Sequence, residues 1–162
     1  MFEEWEGLLE GPDGEAIRGT LEMVRDITDG FQHVEVVGPE STPGGPMLSI
    51  RCTLQDRAEA WIIPSAWEIN TGIGHAWIEA FMRGEGPGRE KSIGLIRSLL
   101  ACMFAGRFEE TQRWDRKGRL VASTGRFYEP DGKTVFKTYD SKGAGIFTPR
   151  RKRSVVRYLP YE

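Results

Sequence analysis

The stretch FMRGEGPGREKSIGLIRSLL, residues 81–100, sets a glycine-rich turn and a Lys-Ser pair directly before an apolar helical run. That is the layout of a loop that cradles phosphates, which reads G-x-x-x-x-G-K-[ST]. One glycine stands six positions before the lysine and one immediately before it, so that backbone N–H groups turn toward phosphate oxygens. Counting back from Lys91, those two positions hold Glu85 and Glu90. Carboxylates there repel a phosphate. No apolar strand downstream ends in an Asp suited to magnesium, since Asp115 and Asp140 fall in hairpin turns. The residues speak against nucleotide hydrolysis. What survives is a helix N-terminus, with its unpaired N–H groups and partial positive charge, flanked by Arg89, Lys91 and Ser92. A phosphate, a sulfate or a partner's carboxylate would dock there; the plain alternative is a connector with Ser92 as the helix cap.

General acid–base chemistry needs two titratable groups that reach one proton. His75 opens the run HAWIEAF, with Trp77 and Glu79 at alternate positions, so a strand there would set His75 and Glu79 on one face. Alternation brings such neighbours together on any strand, which keeps a small acid–base enzyme as an alternative only. His33 stands in the same relation to Glu35. The histidines and the two cysteines, Cys52 and Cys102, lack close ligand spacing, so no metal site is read. There is no G-x-S-x-G elbow and no C-x-x-C, and no cofactor is implied.

The segment TPRRKRSVVRYLPYE places Arg150, Arg151, Lys152 and Arg153 in a row ahead of an apolar strand. A four-residue basic run reads as a contact for an anionic partner. The hairpins before it add Arg113, Lys137 and Arg126, expected on one sheet face, with Trp114, Phe127 and Tyr139 as stacking candidates. Basic residues interleaved with aromatics on a sheet suit single-stranded nucleic acid. The acidic first half and the sequence pI near 5.8 weigh against that use, as does the lack of an RNP-type aromatic signature. A third class is a lipocalin-like barrel holding a small apolar ligand, for which AWIIP and HAWIEAFM have the required apolar character.

These residues need elements to hold them. Residues 2–10 read as a short helix and GPDG, residues 11–14, as its end. AIRGTLEMVRDI, residues 16–27, reads as a strand anchored by Ile17, Leu21 and Met23, with Gly19 as a bulge. Further strands are expected at 31–38, 47–54, 58–64 and 74–82, with PESTPGGP, residues 39–46, as a loop and NTG, residues 70–72, as a turn. Residues 92–105 read as a buried helix, apolar nearly all round, capped by Ser92 and ended by Gly106; Gly94 within it marks close packing. The remainder is a meander of strands joined by DRKG, EPDG and DSKG, residues 115–118, 129–132 and 140–143, each a type I turn closed by glycine. The expected fold is α+β: about eight mostly antiparallel strands in two groups, as a curved sheet or barrel, around one buried helix at 92–105.

With 162 residues the chain reads as one domain, 1–162. The apolar run beginning at Ile93 is too short and too charged for a membrane span. The acidic start lacks a signal-peptide n-region, so a cytoplasmic protein is expected. The net charge of −2 conceals a division. Residues 1–80 hold four Arg, no Lys and 15 acids, a balance of −11, whereas 81–162 hold 18 Lys and Arg against nine acids, a balance of +9. Such asymmetry points to an interaction surface. The reading that best unites these features is a non-catalytic binding protein whose divided charge meets a protein partner or a second copy in a homo-oligomer. Nucleic-acid binding and a small apolar ligand stand behind it.

Overall fold

The computed structural model describes residues 3–81, 87–138 and 152–161. A 3-10 helix, Glu3–Leu8, precedes α1 (Gly14–Thr28). A first sheet follows, made of β1 (Val34–Thr42), β2 (Gly45–Cys52), β3 (Ala60–Pro64), β4 (Glu68–Ile73) and β5 (Ala76–Phe81). After α2 (Pro87–Phe104) comes a second sheet of β6 (Phe108–Trp114), β7 (Leu120–Tyr128), β8 (Thr134–Lys137) and β9 (Lys152–Arg157). The first sheet runs β1-β2-β3-β4-β5 and the second β8-β7-β6-β9, with every pairing antiparallel. The α+β class holds. Neither sheet closes on itself among the described residues, so the barrel expected as one form of the fold is not formed.

The first correction is α1, expected as a strand. Its buried residues are Gly14, Ala16, Ile17, Thr20, Leu21, Met23 and Val24, three or four apart in the manner of a helix face. Thr20 interrupts the apolar pattern, which is why alternation over Ile17, Leu21 and Met23 was the easier reading. Asp13, just before the helix, sends its carboxylate elsewhere, accepting the Ala66 N–H at 2.6 Å. Gly19 is a packing notch and not a bulge: a Cβ there would stand 3.2 Å from Ile93 Cδ1 of α2. The helical layer therefore has two members, joined on its surface by Arg97 Nη2 and Asp26 Oδ2 at 2.8 Å.

Two expected connections are strand. Residues 39–46 continue the β1–β2 hairpin past a register shift between Val37 and Glu40, and the turn is confined to Pro43 and Gly44. Asn70, Thr71 and Gly72 belong to β4, and the turn lies two residues later at Gly74-His75, between the pair Ile73 and Ala76. Gly72 misled because it resembles a turn residue. It pairs directly with Trp61, whose indole occupies the space a Cβ would need.

Helix α2 begins earlier than expected, at Pro87, so Ser92 lies inside it and is buried. Its core face is Ile96, Leu99, Leu100, Met103 and Phe104, while Gly94, Arg97, Ser98 and Ala101 are exposed. The helix is thus one-sided and not apolar all round. It ends as Gly106 foretold. Gly106 takes φ +66°, its N–H reaches Met103 O at 3.0 Å, and the Arg107 N–H reaches Cys102 O at 2.8 Å. This is the paired closure of a Schellman end. Gly94, by contrast, has nothing within 4 Å of a Cβ position, which overturns the close packing expected there. Gly94→Ala is expected to stabilise the protein by about 0.5–1 kcal/mol, because an exposed mid-helix glycine adds only chain entropy to be lost. A rise in the urea midpoint checks this; a fall would mean that a Cβ there meets a neighbour.

In the second sheet two of the three expected turns lie among the described residues. Gly118 (φ +74°) and Gly132 (φ +84°) close them, with Asp115 N–H to Arg119 O and Glu129 N–H to Lys133 O both at 2.9 Å. Asp115 Oδ1 also accepts the N–H groups of Lys117 and Arg119. Those bonds, with the Arg119 guanidinium, hold its carboxyl below the usual carboxylate range. The third turn, 140–143, lies outside the described residues.

Residues 158–161 then run back across the molecule. Leu159 N–H bonds Asp56 O at 2.9 Å and Tyr161 N–H bonds Phe104 O at 2.7 Å. The buried Tyr161 hydroxyl donates to Ala58 O, and its ring meets Phe31 and Phe104 edge-on.

Candidate functional site: a basic sheet face

Strand residues alternate between faces, and directly paired residues share one. On the second sheet the inward set is Phe108, Glu110, Val121, Ser123, Gly125 and Phe127, all buried. The outward set follows from the register. Lys137 faces Arg126, Arg126 faces Glu109, and Glu109 faces Arg157, forming one row of four charges across all four strands. The next outward row is Thr124, Thr111 and Val155, and the one beyond it Ala122, Arg113 and Arg153. Among the described residues, five cations thus share a face with one carboxylate. Glu109 answers two of them, standing 3.5 Å from Arg126 Nη1 and 3.5 Å from Arg157 Nε.

Two pairings put cation directly opposite cation, Arg126 against Lys137 and Arg113 against Arg153. Like charges so placed destabilise a sheet by a few tenths of a kcal/mol. The Arg157 side chain is 84% exposed, and Val135 and Val155 are exposed beside these charges. A groove of about 490 Å³ opens at the end of the charged row, lined by Arg107, Glu109, Tyr128, Glu129 and Arg157 among others. Burial, and then the hydrogen bond to Glu109, push the Tyr128 phenol up.

The expected grouping of Arg113, Arg126 and Lys137 on one face is therefore present. The stacking candidates are not with them. Phe127 is fully buried and Trp114 turns inward, its indole N–H donating to Ser154 Oγ at 3.2 Å; Tyr139 lies outside the described residues. Of the basic run, Arg153 is on the outward face and exposed Lys152 is next to it in β9, while Arg150 and Arg151 lie outside the described residues. Lys91 is exposed on α2 and Ser92 is buried, and the Arg89 side chain lies outside the described residues. Ser92 lies within the helix and not at its first residue, and the helix-start site expected of the three includes an Arg89 side chain that lies outside the described residues. Glu109 and Arg157 were missed, though the alternations Glu109-Thr111-Arg113 and Arg153-Val155-Arg157 carried the signal.

His75 sits in the β4–β5 turn and not within a strand, four residues before Glu79, whose side chain lies outside the described residues. Four strand residues span about 13 Å, so the turn and Glu79 are well separated along β5. What His75 does contribute is its backbone N–H, which donates to Glu110 Oε1 at 3.0 Å. Glu110 is 0% exposed. Ser123 Oγ donates to the same oxygen, while Gln112 Nε2 (3.0 Å) and Tyr158 OH (2.9 Å) donate to Oε2. Burial first, then the neighbouring Glu110 charge, push the Tyr158 phenol far up. Four donors on two oxygens saturate this carboxylate, which joins the two sheets and has no free edge for a substrate.

Among the described residues no group of three His, Cys, Asp or Glu is placed to hold a metal ion, and no helix is long and apolar enough to cross a membrane. No protein-family model matches the chain, and neither a curated protein nor a solved structure resembles it significantly.

Proposed function

We propose that this chain is a non-catalytic binding protein whose basic face on the second sheet receives an acidic protein surface. The observation that carries the reading is the pair of like-charge oppositions, Arg126 with Lys137 and Arg113 with Arg153. A face that served solubility alone would intersperse the signs. Glu109 answers Arg126 and Arg157, whereas Arg113 and Arg153 stand directly opposite each other, so an incoming carboxylate gains attraction at that pair. The exposed valines 135 and 155 favour a protein over a nucleic acid, which would want several aromatics where this face, among the described residues, has Tyr128 beside threonine and valine.

The test compares two labelled probes by fluorescence anisotropy at low salt: a peptide alternating Glu with Leu, and an oligothymidylate of equal charge. The peptide is expected to bind the tighter. Arg113→Glu with Arg153→Glu is expected to weaken it at least about tenfold, or about 1.4 kcal/mol. Folding should change by less than about 0.5 kcal/mol, since one like-charge pair replaces another at an exposed site. Binding of the oligonucleotide alone would move the reading to nucleic acid; binding of neither would end it.

A further inference from the structure

The first 17 residues contain six acids and no Lys or Arg, and the structure exposes three of them, Glu4, Glu6 and Glu10, along and just after the 3-10 helix. A groove of about 540 Å³ lies between this helix and the β1–β2 hairpin, lined by Glu4, Leu8, Pro39, Thr42 and Pro46 among others, with no cation among the described residues of its walls. Asp13 ties the Ser65–Trp67 turn to the same end. Leu8 is 37% exposed at the groove and Trp67, in that turn, is 78% exposed. The large exposed hydrophobics of the described residues are Leu8, Trp67, Val135, Val155 and Leu159. Two of them sit on this acidic end and two on the basic face. Each surface therefore offers what the other asks for: carboxylates with apolar side chains on one, guanidinium groups with apolar side chains on the other.

The two cannot meet within one molecule. The 3-10 helix packs on β1 toward its hairpin end, Trp5 against Gly38, whereas the run after β9 meets the first sheet at the other end, at Phe31, Asp56 and Ala58. Four strand spacings, about 19 Å, separate β1 from β5, and it is β5 that touches β7. We infer that the acidic end of one copy docks on the basic face of a second copy, head to tail. This rests on the proposed role of the basic face and names its partner. Such an interface is heterologous. It leaves one of each surface free in a dimer, so assembly continues to a ring or a filament.

The experiment uses light scattering on the full chain at about 50 and about 500 mM salt, where screening shortens the reach of charge several-fold. Wild type is expected to associate at low salt and to weaken at least about tenfold at high salt. Two variants divide the interface: Arg153→Glu with Arg157→Glu, and Glu4→Lys with Glu6→Lys. Each alone should stay monomeric, with circular dichroism confirming the fold. Mixed together they should associate again, because each still carries the surface the other has lost. A wild-type monomer at both salts, or variants that assemble undisturbed, would overturn the inference. The Glu-Leu peptide separates this failure from the broader one. If it binds the monomer and is lost in Arg153→Glu with Arg157→Glu, the basic face keeps its role and its partner is another acidic protein.

Discussion

Glu110→Ala is expected to lower folding stability by about 3–5 kcal/mol, the cost of breaking one side of a buried, fully bonded charge network. The substitution leaves the His75 N–H, the Gln112 amide and the Ser123 and Tyr158 hydroxyls without their common acceptor, in a place with no exposure to water. Each orphaned donor retains a desolvation cost of roughly 1–3 kcal/mol, reduced where the side chain turns to another partner. The backbone N–H of His75 has no such freedom. Glu110→Gln should fall between, since it keeps the shape but presents an amide N–H₂ where two donors already point. Tyr158→Phe removes one donor of four and should cost about 1.5–3 kcal/mol. In urea, with a slope of about 2 kcal/mol per molar, Glu110→Ala should move the midpoint down by roughly 2 M. A shift below about 0.5 M would mean that the carboxylate does not join the sheets. Binding of the Glu-Leu peptide by the folded fraction should persist, because Glu110 and the basic residues stand on opposite faces of β6.

Gly125→Val should be the second severe change. A Cβ on Gly125 would stand 2.8 Å from Ala76 Cβ and 2.9 Å from Phe108 Cε2, closer than real side chains approach. Phe108 has nowhere to go: its ring stacks between Phe127 and Tyr158, with centroids at 4.6 and 5.3 Å. Overpacking of this kind costs about 1–3 kcal/mol, and the two further methyl groups of valine place the effect at the upper end. The readout that marks the mechanism is a partner substitution. Ala76→Gly opens the space opposite, so it should recover part of the loss in Gly125→Val while destabilising the parent. Strict additivity of the two changes would remove the contact from the explanation.

What the chain disclosed in advance follows from how far each signal reaches. Turns at Gly118 and Gly132 were legible because Asp, Gly and a left-handed φ act within four residues. Gly106 ended α2 for the same reason. The alignment of Arg113, Arg126 and Lys137 was legible because a strand repeats every second residue and hairpin turns fix the register. Strand β4 was hidden because Gly72 answers to Trp61, on the neighbouring strand, and not to its own neighbours. Helix α1 was hidden because Gly19 and Thr20 serve tight burial against α2 and the core, which breaks the apolar pattern that would announce a helix. Glu110 was least legible of all. Its four donors come from positions 75, 112, 123 and 158, and nothing local to FEETQRW distinguishes it from Glu109, one residue away and on the opposite face.

The return of residues 158–161 has a consequence in time. Tyr161 meets Ala58 across 103 residues of chain, a contact that waits for the whole of the second sheet to be made. At the usual pace of synthesis, about 5–20 residues per second, the interval between the two emerging is on the order of ten seconds. Through it, Phe31 lacks the Tyr161 ring that covers it, and Phe104 and Glu110, made about midway, wait for Tyr161 and Tyr158. The first sheet is thus a nascent chain with an open apolar seam. Chaperone engagement, and any premature meeting with a finished copy's basic face, would fall in that window.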